Sequence, residues 1–90
     1  MTEKALICNP NIVFRLETDG WALLFDSETG RTFVLNETGA TIWQLIENHK
    51  SYEEIVVEIT SIFEIDKNTS TNEFELFLVE LIEKGMVILK

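Results

Sequence analysis

Arg31-Thr32-Phe33-Val34-Leu35-Asn36-Glu37-Thr38-Gly39-Ala40-Thr41-Ile42-Trp43 is the stretch that decides the fold of this 90-residue chain. Phe33 and Leu35 alternate with Thr32 and Val34, so each pair shares one face of a short strand. Asn36 suits an N-cap, because its side-chain oxygen accepts from the free N–H groups of a first helical turn. Glu37 then stands at the positive end of the helix dipole. Ile42, Trp43 and Ile46 recur at helical spacing. A strand therefore runs directly into a helix, with β-type sequence before it and mostly α-type sequence after it.

Working back from this stretch, residues 11–17 alternate: Ile12, Phe14 and Leu16 face one way, Val13, Arg15 and Glu17 the other. Asp19-Gly20 is a hairpin turn signal. Trp21, Leu23 and Phe25 are expected to form the inner face of a second strand. Asp26 to Gly30 makes a second hairpin connection, so three strands form an antiparallel meander. Pro10, which lacks an N–H, suits the start of the first strand. Residues 1–9 are expected to be a loose arm, and residues 10–90 a single domain.

Working forward, the first helix is expected over about Glu37–Asn48, with Gly39 allowing close packing and His49-Lys50 at its C-terminal end. Ser51-Tyr52-Glu53-Glu54 is a capping box that opens a second helix, with Ile55, Val56, Ile59, Ile62 and Phe63 on one side. A polar turn over Asp66–Thr71, in which Thr69, Ser70 or Thr71 can serve as N-cap, leads to a third helix, about Asn72–Lys84, ended by Gly85. Phe74, Leu78, Leu81 and Ile82 form its core stripe. Leu76 and Val79 lie off that stripe on one flank and Phe77 on the other, so the helix is apolar over more than one packing contact requires. Met86–Leu89 reads as a final strand or a return to the core. The fold class is α+β, a three-stranded antiparallel meander followed by three helices.

Composition excludes several function classes. The net charge of −9 is concentrated C-terminally: residues 1–50 carry seven acidic and four basic side chains, residues 51–90 nine and three. Such a surface disfavours nucleic acid and anionic membranes. Two helices in helix-turn-helix order raise a DNA-binding regulator, but the would-be recognition helix carries Glu73, Glu75, Glu80 and Glu83 against Lys84 alone, and DNA binding needs phosphate neutralisation. No apolar run approaches the ~20 residues of a membrane span. The short run Ala5–Cys8 is no secretory signal, so a cytoplasmic location is expected. Cys8 is the one cysteine and His49 the one histidine, and neither sits in a nucleophilic or metal-ligand arrangement. The four glycines are scattered rather than grouped as a phosphate loop. Ser51, Ser61 and Ser70 lack the setting of a carrier-protein serine. No enzymatic activity, cofactor or metal is expected.

The run Phe33-Val34-Leu35-Asn36-Glu37-Thr38-Gly39-Ala40-Thr41-Ile42-Trp43 resembles the aromatic-x-Leu-Asn-x-Thr-Gly-x-x-Ile-Trp segment of PqqD-like proteins. Ser51–Val56 is similar to their second-helix start. Phe74, Phe77-Leu78, Leu81 and Gly85-Met86-Val87 match their third-helix and exit pattern, and Pro10 and Arg15 their N-terminal strand. Phe33 stands where tyrosine is commoner, which removes a hydroxyl. The resemblance implies a winged helix-turn-helix-like recognition element for ribosomally synthesised and modified peptides. Such an element binds a precursor's leader as an extra strand on the third strand, beside the third helix. It delivers the precursor to a radical enzyme in quinone-cofactor and thioether-peptide pathways, or to a leader peptidase and cyclase in lasso-peptide pathways.

On that reading the peptide-binding residues are the backbone of Arg31, Thr32, Phe33, Val34 and Leu35. Leu76 and Val79 are the pocket side chains, and Glu75 and Glu83 the charge partners for a leader carrying Lys or Arg. If the opposite flank of the helix faces the strand, Phe77 and Glu73 take that role. The competing readings are an acidic winged-helix adaptor that binds only proteins or dimerises through the third strand, and the DNA-binding regulator. A monomer or weak dimer is expected.

Overall fold

The computed structural model describes residues 5–90. In chain order it contains β1 (Leu6–Cys8), β2 (Ile12–Leu16), β3 (Ala22–Asp26), β4 (Thr32–Leu35), α1 (Glu37–Glu47), α2 (Tyr52–Phe63), α3 (Lys67–Glu83) and β5 (Val87–Leu89). The expected α+β order of a three-stranded meander and then three helices is present as β2-β3-β4 and α1-α2-α3.

Both hairpin turns form where Asp and Gly direct them. Trp21 N–H donates to Asp19 Oδ1 at 3.0 Å and Gly20 has φ +88°. Glu28 N–H donates to Asp26 Oδ1 at 2.9 Å and Gly30 has φ +79°. Positive φ at those two positions costs glycine nothing.

Register then decides which face is buried. Phe14 pairs with Leu24 and Leu24 with Phe33; Leu16 pairs with Ala22 and Ala22 with Leu35. Cross-strand partners share a face, so Ala22 and Leu24 join Ile12, Phe14, Phe33 and Leu35 on the side that meets the helices. Ala22 and Leu24 are fully buried, whereas Trp21 and Phe25 are exposed. The expected inner face of Trp21, Leu23 and Phe25 is thereby corrected. Both faces of this strand are apolar, so side-chain size alone points to the wrong one.

A second correction concerns the N-terminal arm. Leu6, Ile7 and Cys8 pair antiparallel with Leu89, Ile88 and Val87 in a separate two-stranded sheet. Ala5 and Lys90 continue the pairing by exchanging two backbone hydrogen bonds of 2.6 and 2.8 Å. The apolar triplet finds a partner strand and buries Leu6, so residues 5–9 are not loose. The rest of the expected arm lies outside the described residues. Cys8 is half-buried in β1, and burial, with Glu47 nearby, pushes its thiol up to about 12.

The helices start at the caps that their sequences supply. Asn36 Oδ1 accepts from Gly39 N–H at 2.9 Å. The Ser51/Glu54 capping box is complete, with bonds of 3.1 and 2.8 Å. Asp66 caps α3 by accepting from Thr69 N–H at 2.9 Å. The third helix therefore begins at Lys67, five residues before the expected Asn72, because Asp66 is the N-cap residue and the expected candidates Thr69, Ser70 and Thr71 lie inside the helix. Trp43, Phe74, Leu24, Ile42, Ile46, Ile55 and Ile59 form the centre of the core. Among the described residues Ser70 is the one buried polar residue, its hydroxyl 2.9 Å from that of Thr60. Ile62 and Ile82, expected in the core stripes, are exposed at the ends of their helices.

Candidate peptide-binding edge and groove

The strand β4 lies at one edge of its sheet. Among the described residues no further strand pairs with it, since the C-terminal strand β5 is taken by β1. Hydrogen bonding across an antiparallel pair alternates residue by residue. Asp26 N–H donates to Arg31 C=O at 2.8 Å, and the register carries this pattern to the Leu24–Phe33 and Ala22–Leu35 pairs. Phe33 and Leu35 thus direct their N–H and C=O groups into the sheet. Thr32 and Val34 direct theirs outward along the free edge.

Beside this edge runs α3. Its rotation is fixed by the buried stripe of Ser70, Phe74, Leu78 and Leu81. Phe77 adjoins that stripe on the side toward β4. One hollow of about 120 Å³ is lined by Phe33, Val34 and Leu35 from the strand, by Phe77, Glu80, Leu81 and Lys84 from the helix, and by Met86. A neighbouring hollow of about 260 Å³ is lined by Asn36, Thr38, Gly39, Ile42, Glu73 and Phe77. Phe77 lines both, so the two adjoin as the halves of a groove that follows β4 to the start of α1, with Phe77 between them. Gly39 lies close beneath Phe77: a Cβ there would stand 3.3 Å from the tip of the Phe77 ring, which would have to yield by a few tenths of an ångström, and 3.5 Å, an ordinary contact, from Leu35 Cβ.

The expected strand residues Arg31 to Leu35 are therefore at the edge and groove. The helix residues divide differently. The flank turned to β4 is the one bearing Phe77 and Glu73, not Leu76 and Val79. Successive residues rotate by about 100° around a helix; Leu76 stands one such step outward from Phe77, and Val79 lies on the far side from the core stripe. Both are exposed, Leu76 at 75%, and neither lines either of these two hollows. Glu75 is turned toward α2, where it accepts a 2.6 Å hydrogen bond from the Tyr52 hydroxyl. Tyr52 also packs on Phe74, with ring centroids 4.9 Å apart. Desolvation and the bond to Glu75 push the Tyr52 phenol up to about 12. Glu83 lines neither hollow. The lining residues that the sequence reading did not place at the site are Glu80, Leu81, Lys84 and Met86, and at the other end Asn36, Thr38, Gly39 and Ile42; for the helix, the i, i+3, i+4, i+7 spacing of Phe77, Glu80, Leu81 and Lys84 was the available signal.

The groove's charges are ordered. Arg31 and Lys84 both stand over the Phe33 ring, 5.4 and 5.8 Å from its centroid, within cation–π range. Lys84 Nζ also reaches Glu80 Oε2 at 3.2 Å. At the other end, Glu73 is exposed and makes no ion pair among the described residues. Glu37 does not join it, because its side chain lies against Gly20 in the β2–β3 turn. Among the described residues no cluster of His, Cys, Asp or Glu could hold a metal ion, and no helix is long and apolar enough to cross a membrane.

Residues 22–87 match the family described as coenzyme PQQ synthesis protein D (PqqD). Among solved structures, TbiB1 in complex with the TbiA(beta) leader peptide is similar at 30% identity and a TM-score of 0.82, covering 90% of this chain and 93% of that one. Lasso peptide synthetase B1 complexed with the leader peptide shares the fold at 24% identity and a TM-score of 0.81, covering 92% and 96%. No curated protein matches the chain. The family match spans well over half of the sequence and contains β3, β4, all three helices and the groove between them; the chain belongs to the PqqD family.

Proposed function

We propose that this protein binds the leader segment of a ribosomally synthesised precursor peptide and catalyses nothing itself. The leader adds as a strand along β4, and the bound precursor is passed to a modifying enzyme or a leader peptidase. The observation that carries this reading is the free edge of β4 directly beside a groove with Phe33, Phe77, Leu81 and Met86 in its lining. Thr32 and Val34 offer four backbone groups to an extended chain, which supply affinity without reading sequence. Side chains of the added strand that share the inner face would drop toward Phe33, Phe77, Leu81 and Met86, which supply selectivity. The likeness to TbiB1, whose structure holds a leader peptide, supports the class of ligand.

The test is an NMR titration with synthetic leaders of precursors encoded beside this gene. Amide shifts at Thr32 and Val34, with side-chain shifts at Phe77 and Leu81, are the expected result. Saturable binding that leaves the β4 amides unmoved would remove strand addition.

One observation favours a second reading, that of an adaptor for proteins. The outer sheet face carries Val13, Leu23, Phe25 and Val34, with Val13 and Val34 more than half exposed. A concentration-dependent dimer in sedimentation, lost in Phe25→Ser, would support that reading.

A further inference from the structure

The groove has a direction written in charge. On a chain of net charge −9, two of the few cations, Arg31 and Lys84, are gathered over one aromatic ring at the β4 N-terminal end. The carboxylate of Glu73 lines the opposite end, beside Asn36 and Thr38. The apolar floor lies between them. Lys84 is held there by Glu80, and as the C-cap residue that follows α3 its charge suits the helix dipole. Arg31 has no carboxylate within ion-pair distance among the described residues.

We propose that Arg31 and Lys84 are specificity-determining residues that select a peptide strand with an acidic side chain at their end of the groove, and that Glu73 selects a basic one at the other. This rests on the leader-binding reading above and narrows its ligand. Antiparallel pairing is the slightly more stable arrangement, and such a strand runs from the Asn36 end to the Arg31 end. Its order, from N- to C-terminus, is then basic, apolar, acidic. At ~3.3 Å per residue the two charges are about four to six residues apart, the length of β4 between the two ends. The acidic helix alone would favour a purely cationic leader; the placement of Lys84 and Arg31 makes the preferred ligand dipolar instead.

The probe is a leader encoded beside the gene, synthesised as such and with each acidic residue changed in turn to Lys. Affinity and the Thr32 and Val34 amide shifts are read together. Lys84→Glu is expected to weaken the parent leader about tenfold, the loss of one charge-assisted contact, and one Lys-substituted leader is expected to recover it. Lys84→Met, which keeps the aliphatic stem over Phe33 without adding charge at the helix end, is expected to weaken the parent and to show no preference for the Lys-substituted form. Leaders that shift Thr32 and Val34 equally in wild type, Lys84→Glu and Lys84→Met, whatever their charge, would overturn this proposal while leaving strand addition standing. Absence of β4 shifts with every leader would overturn both.

Discussion

Val34 shows how much one residue's backbone can matter when its side chain does little. Its side chain is 63% exposed on the outer sheet face, while its N–H and C=O point along the open edge. Proline there removes an outward donor and no bond within the sheet, a substitution that edge strands tolerate. Val34→Pro is expected to keep the wild-type circular dichroism and to lose leader affinity by about tenfold or more. Phe33→Pro breaks a bond to β3 and is expected to unfold the sheet instead. Unchanged leader affinity in a folded Val34→Pro protein would refute strand addition. At Asn36 the side chain carries the role: Asn36→Ala removes the bond to Gly39 N–H that starts α1 and is expected to cost about 1 kcal/mol in urea denaturation. Both readings were legible in the sequence, because alternation and caps are local signals. The choice between Trp21/Phe25 and Ala22/Leu24 as the inner face was not. It is made by pairing with Phe14, Phe33 and Leu35, which no single strand encodes.

At the scale of elements, the caps and the β1–β5 pair carry separate predictions. Asp26, Glu54 and Asp66 are each held below the ordinary values of 3.8 and 4.5 by backbone N–H donors, those of Glu28, Ser51 and Thr69 respectively. The unfolded chain therefore binds protons that the folded chain has released. The stability from these groups is present above their ordinary values and is lost as pH falls through the lowered folded ones. The urea midpoint is expected to be flat near neutral pH and to fall below about pH 4; replacing Asp66 by Asn, which still caps, should flatten part of that fall. The β1–β5 pair depends on burial. Leu6→Ala is expected to destabilise by about 2 kcal/mol, read in the same denaturation, whereas a loose arm would show no change. That strand was hidden because three residues are too few for a periodic signal and the partner lies at the other end of the chain. The rotation of α3 was hidden for a related reason. Its apolar residues spread around most of the helix, so only their burial in the folded chain, at Ser70, Phe74, Leu78 and Leu81, settles which flank meets β4.

For the whole molecule, the β1–β5 pair has another consequence. Ala5 and Lys90 exchange two hydrogen bonds, so the backbone of the domain is nearly a closed ring. In a chain cut to residues 5–90, a few glycines and serines would join Lys90 to Ala5 without displacing either strand. The ring can then be reopened in the exposed Ser27–Gly30 turn. Such a circular permutant is expected to fold, with β4 near its new beginning and the groove unaltered. It is also expected to bind leaders as the parent does, which a paired titration would check. The outline of the groove therefore depends on which strands and helices lie side by side, and the order in which the chain threads them is free to change.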